Sequence, residues 1–180
     1  MLARLRYLLF PVLNIIGTVL LIFSGIHLLG LAVSAFFEDG AAYGFFFGAA
    51  LTACGALALI AVTRHDKRDL LPRDGFLLAT LLWSVLPVFA ALPIMTLPNV
   101  SFSQAYFEAM SGITTTCATA FSVENLPESI NFWRCLLSWL GGMGILVLAI
   151  ALLPLMGVGG SQLFRFVNLC QAAPSISPLF

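Results

Sequence analysis

Four apolar stretches, each of bilayer-spanning length, fall at about residues 7–37, 43–63, 76–97 and 132–158. A chain built this way has to satisfy its backbone polar groups inside lipid, and helices do that within themselves. The composition agrees: 61% hydrophobic and 9% charged over 180 residues, with mean hydropathy +1.04. The expectation is an all-α membrane protein with four transmembrane helices. A net charge of zero argues against nucleic acid as a partner. The cysteines Cys54, Cys117, Cys135 and Cys170 lack CxxC spacing, so neither a disulfide framework nor a zinc site is indicated. Histidines occur only at 27 and 65, and no acid–base pair or nucleophile constellation is visible, so the reading is not an enzyme and no cofactor is expected.

The N-terminus begins with basic residues before an apolar run, as a signal peptide does. That run is far too long for a signal core and no small-residue cleavage site closes it, so a retained helix is expected. Within it, His27 is read as a hydrogen-bonded packing residue in preference to an ion or proton ligand, and Gly17 and Gly25 allow close helix approach. Glu38, Asp39 and Gly40 form a turn. The second stretch opens with Tyr43 and Phe45 to Phe47, aromatics suited to a membrane interface. Its small residues Gly48, Ala49, Ala50, Ala53, Gly55 and Ala56 predict tight packing. The loop at 64–75 carries mixed charge. His65, Asp66 and Asp69 are close enough in sequence for a metal site, but mixed charge favours a solvated loop. Pro87 and Pro93 predict kinks in the third stretch. The fourth carries Trp133 and Trp139, then Gly141, Gly142 and Gly144, and ends at Pro154 and the glycines at 157–160.

Charge sets the topology. Arg4, Arg6, Arg64, Lys67, Arg68, Arg73 and Arg165 lie on one side, and only Arg134 lies on the other, with Glu38, Asp39, Glu108, Glu124 and Glu128. The basic side is cytoplasmic by the positive-inside rule, which places both termini inside.

Between the third and fourth stretches, residues 107–120 read FEAMSGITTTCATA. Residues 103–113 can form a short helix with Phe107, Met110 and Ile113 on one side, and Thr114, Thr115, Thr116 and Cys117 follow as an extended polar run. An ordinary external loop fits this pattern; so does a re-entrant pore helix and filter loop. In the second case carbonyls replace an ion's hydration shell, and the helix points its partly negative end at the ion.

FEAMSGITTTCATAF, followed by LPESINFWRCLLSWLGGMGILVLAIALLPLMGVGGSQLFR, resembles the first pore module of the Trk/Ktr/HKT potassium transporter superfamily, most of all its bacterial Trk-H branch. The resemblance divides the chain into an N-terminal helix pair (1–71), one helix–pore loop–helix module (72–165) and a short cytoplasmic tail (166–180). It implies that Thr114, Thr115, Thr116, Cys117 and Ala118 form one quarter of a selectivity filter, with potassium held at Thr115 and Thr116. Glu108, Ser111 and Gly112 would support the loop from the pore helix, Glu108 by bonding loop amides or pairing with Arg134. Gly141, Gly142 and Gly144 would bring the inner helix close to the pore helix. The implied activity is potassium transport in a bacterial cytoplasmic membrane, with potassium as substrate and membrane lipid around it. The implied partners are other pore modules or copies of the chain, and a cytosolic Trk-A type nucleotide-binding regulatory subunit.

Two departures stand out. The family usually has glycine where this chain has Cys117, and a serine there in plant relatives goes with sodium transport, so the ion preference stays open. Family members also carry four modules and one is found here. The expectation is therefore a truncated or split product, or one needing further modules. The alternatives are a non-transporting paralogue that acts through interactions, and a homotetrameric channel.

Overall fold

The computed structural model describes residues 2–64, 72–122, 124 and 126–155. They form five α-helices: α1 (Leu2–Phe37), α2 (Ala42–Thr63), α3 (Pro72–Ala90), α4 (Phe102–Ile113) and α5 (Glu128–Leu155), with a 3₁₀ turn at Ile94–Thr96. There is no strand among the described residues. Four segments are long and apolar enough to cross a membrane: Leu9–Phe37, Ala42–Thr63, Asp74–Thr96 and Glu128–Leu148. At twelve residues, α4 is too short to join them. The residues 65–71, with His65, Asp66 and Asp69, and the tail from 156 onward, with the glycines at 157–160, Arg165 and Cys170, lie outside the described residues.

Helices α1 and α2 make an antiparallel hairpin. Gly44, Gly48, Thr52 and Ala56 are buried at four-residue spacing, which puts them on one face of α2. Of the small residues expected to pack, Gly48, Ala49 and Ala56 are buried while Ala50 points outward. A Cβ on Gly30 would run into the Phe45 ring, and one on Gly48 into His27. Polar side chains stitch the same seam. Asn14 donates to Thr63 Oγ1 at 2.9 Å and Ser24 to the Ala49 carbonyl at 2.9 Å. Such bonds are worth about 0.6–2 kcal/mol each in a membrane setting.

The third apolar stretch was expected to remain helical to 97, but α3 stops at Ala90. Pro93 has no N–H to give the Phe89 carbonyl, so the α-helical ladder breaks there. The Phe89 carbonyl accepts from Leu92 N at 3.2 Å instead, and two side chains from other helices lie against the carbonyls at this end of α3. His27 Nε2 lies 3.4 Å from the Phe89 carbonyl, and Trp133 Nε1 donates to the Ala90 carbonyl at 2.9 Å. His27 is fully buried, its Nδ1 sits 3.0 Å from the Phe23 carbonyl, and its ring centroid is 4.7 Å from that of Trp133. It packs helices together, as expected. Phe23, Phe45, Ile94, Ala105, Ala109, Ile130, Trp133 and Leu137 complete the core where all five helices converge.

The fourth stretch begins at Glu128, four residues before the expected 132. Pro127 precedes it, and its carbonyl accepts from Ile130 N and Asn131 N. Proline offers no side-chain acceptor for the orphan amides of the first turn. Asp39, in the α1–α2 turn, supplies one. Its Oδ2 accepts from Ser129 N at 2.8 Å, while its Oδ1 accepts from Ser34 Oγ and from Ala41 N at 3.1 Å.

Candidate functional site

Helix α4 starts one residue earlier than expected, at a capping box. Ser101 Oγ accepts from Gln104 N, and Gln104 Oε1 accepts from Ser101 N at 3.0 Å. Of the three residues expected on one side, Ile113 is buried. Phe107 is 48% exposed, while Ala105, Glu108, Ala109 and Gly112 form the buried stripe at i, i+3, i+4 and i+7. Small residues win that face because α5 passes so close: a Cβ on Gly112 would sit 3.1 Å from Leu137 Cβ.

The C-terminus of α4 closes in a Schellman turn. Thr115 N donates to the Gly112 carbonyl and Thr116 N to the Ser111 carbonyl, both at 2.9 Å. The turn needs a left-handed residue where glycine is usual, and Thr115 fills it with φ +56°. Cys117 is left-handed as well, with φ +60°. This is the conformation for which glycine is suited, and it costs a residue bearing a Cβ about 1–2 kcal/mol. Two strained residues in three persist only where surrounding contacts hold the loop.

Those contacts come from Ser111 and Glu108 of α4. Ser111 Oγ donates to the Ala118 carbonyl at 2.6 Å. Glu108 is 3% exposed and engages the loop and α5 together. Its Oε2 accepts from Ala120 N at 3.0 Å and Thr119 Oγ1 at 3.2 Å, while Oε1 pairs with Arg134 Nε at 2.5 Å. Thr114 Oγ1 donates to the Met110 carbonyl at 2.8 Å, so it accepts from Thr116 Oγ1 across their 2.8 Å contact. The Thr114 hydroxyl thus fastens the loop. Residues 115–120 are exposed on their other side.

Gly141 lies against the end of α4, and a Cβ there would fall inside the Ile113 carbonyl group. Gly142 faces Thr115 at ordinary contact distance. Gly144 was expected beside the pore helix, but its neighbour is Trp83 of α3. Behind the loop, a cleft of about 160 Å³ is lined by Glu108, Ser111, Cys117, Arg134, Cys135 and Ser138. Thr119, Ala120, Cys135 and Ser138 were not singled out from sequence; the Glu108 acceptor and its two-sided hold identify the first two. Among the described residues, no group of three His, Cys, Asp or Glu side chains is placed to hold a metal ion.

A family model described as "TrkH: Cation transport protein" matches residues 42–167. The chain is 42% identical over 157 residues to the Trk system potassium uptake protein TrkH of Halomonas elongata, covering 86% of this chain and 33% of that one. It is also 42% identical to TrkH of Escherichia coli K12, covering 84% and 32%, and 34% identical to TrkG of the same strain, covering 75% and 28%. The crystal structure of the potassium transporter TrkH from Vibrio parahaemolyticus superimposes with a TM-score of 0.75 at 36% identity, covering 90% of this chain and 36% of that one. The chain thus spans about a third of the length of the curated relatives it matches. With its family match extending over well over half its length, the chain belongs to the TrkH family of cation transport proteins.

Proposed function

We propose that this chain contributes one wall of a potassium-conducting pathway, with α4 as a re-entrant pore helix and residues 114–118 as one quarter of a filter. The supporting observation is the loop itself. The sign of φ is positive at Thr115 and Cys117 and negative at Thr114, with Thr116 outside the left-handed set. Alternation of this kind turns successive peptide planes so that carbonyls can share one side. In such a filter the carbonyls of Thr115 and Thr116 would take the place of water around a bare cation. Ser111 occupies the Ala118 carbonyl, so that oxygen marks the loop's anchored end. Glu108 keeps the loop from collapsing into the cleft by holding it to α5 through Arg134.

Potassium moves through such a wall without covalent chemistry or cofactor. Relatives named as potassium uptake proteins support the choice of ion, while Cys117 bears on how strictly potassium is preferred over sodium. The remaining walls come from further modules or from copies of the chain, and a Trk-A type nucleotide-binding subunit is the proposed cytosolic partner. The membrane is the bacterial cytoplasmic one, with the basic ends inside. The module boundaries proposed are residues 1–71, 72–165 and 166–180.

The test is rubidium uptake by a potassium-uptake-deficient strain expressing the chain alone or with a companion carrying the other modules. Uptake that Thr115 or Thr116 substitution abolishes supports the reading. Uptake indifferent to both substitutions, or none in either arrangement with the protein folded in the membrane, removes it and favours an interaction role.

A further inference from the structure

We propose that Asp39, in the turn between α1 and α2, is a positioning residue for the loop at 114–120, acting through the start of α5. The inference rests on the function proposed above for that loop and identifies the residue that fixes its far support.

Helix α5 opens at Pro127, which has no side-chain acceptor to offer its first turn. An N-cap side chain accepts from the second or third amide of a helix. Here the second amide, Ser129 N, reaches Asp39 Oδ2 at 2.8 Å across a sequence separation of ninety residues. The other oxygen is locked into its own turn by Ser34 Oγ and Ala41 N. The carboxylate therefore joins the entrance of α2, the end of α1 and the N-terminus of α5 in one node. Its negative charge sits at the positive end of the α5 dipole.

What the node positions lies within the next two turns of α5. Trp133 inserts between Phe23, Phe45 and His27, and donates to the Ala90 carbonyl. Arg134 pairs with Glu108, the side chain that holds Ala120 and Thr119. A rotation or axial slip of the α5 start would move Arg134 relative to Glu108. Asp39 sets that rotation from outside the module.

Burial pushes the Asp39 carboxyl up, but hydrogen bonds from Ser129, Ser34 and Ala41 outweigh it and hold the group below the usual aspartate range. The other titratable groups on the segments that meet there are Glu38 on its own turn, Tyr43 early in α2 and Glu128 in the first turn of α5; Arg134 and Glu108 follow further along. The folded pKa is depressed, so the cap is fully made above the ordinary aspartate value of about 3.9 and is lost as pH falls through the lower folded value.

The experiment is amide hydrogen exchange at the start of α5, with thermal unfolding of the purified chain followed from pH 7 down to about 3, for the parent and for Asp39→Asn and Asp39→Ala. Rubidium affinity is measured for the same set in cells. In Asp39→Ala exchange at Ser129 quickens at neutral pH by about fivefold to tenfold, as loss of a cap predicts, and in Asp39→Asn it quickens less. The parent loses stability more steeply toward pH 3 than either variant, the difference being the contribution of Asp39. Rubidium affinity falls more in Asp39→Ala than in Asp39→Asn, whose amide oxygen still accepts from Ser129 N. Unchanged exchange at Ser129 in Asp39→Ala overturns the proposal whatever transport does. Faster exchange with unchanged rubidium affinity overturns it too, because the cap would then be structural only. No rubidium uptake in the parent defeats the function proposed above, and with it the positioning role, leaving the exchange result as evidence of a cap alone.

Discussion

The N-terminal hairpin and the α4–α5 unit hold themselves together by opposite means. Between α1 and α2 many small contacts are spread along one seam: glycines facing rings, a threonine and an alanine at four-residue spacing, and two side-chain hydrogen bonds. Between α4 and α5 the grip is concentrated in one glycine against a carbonyl, one ion pair, and two hydrogen-bonding side chains that reach the loop. Distributed packing averages out single faults. Concentrated contacts fix a short loop in a strained shape, and each becomes hard to replace.

The largest break in this contrast is expected at Gly141. Replacement by alanine places a methyl group within the Ile113 carbonyl, where only backbone can yield, and should cost more than about 3 kcal/mol. Thermal unfolding in detergent checks it, and a near-neutral Gly141→Ala would show that α5 floats free of α4. Next is Glu108→Gln, which leaves Arg134 without its charge partner and loosens Ala120; a loss on the order of 3 kcal/mol is expected, with uptake reduced. Full stability and transport in that variant would remove the proposed hold on the loop. Cys117→Gly goes the other way. Relief of a left-handed Cβ should stabilise by about 1 kcal/mol, and competition uptake should show potassium gaining over sodium. The smallest effect is in the hairpin: Gly25 meets nothing within 4 Å, so Gly25→Ala should stabilise by about 0.5–1 kcal/mol or leave stability unchanged.

The four long helices were legible from hydrophobic length alone, and α2 and α4 begin within a residue of expectation. Pro93 was legible as a disturbance, but not as the end of α3, since the side chains that lie against the carbonyls there, His27 and Trp133, come from distant parts of the chain. Asp39 read as a turn residue for the same reason: its partner lies ninety positions away. Helical spacing put Phe107, Met110 and Ile113 on one side of α4 without saying which face is buried. Close helix approach rewards the smallest residues, so Ala105, Ala109 and Gly112 turn inward with Glu108. The left-handed Cys117 agrees with the glycine that the family resemblance implies at that position, whereas the left-handed Thr115 had no such signal, since a Schellman turn on a β-branched residue runs against local preference.

The break at Pro93 has a mechanical result. Because His27 of the first helix lies against the Phe89 carbonyl and Trp133 of the last helix donates to the Ala90 carbonyl, three helices meet at the stump of the third. For the pathway proposed above, we infer that this joint is the fixed end about which the three helices would tilt.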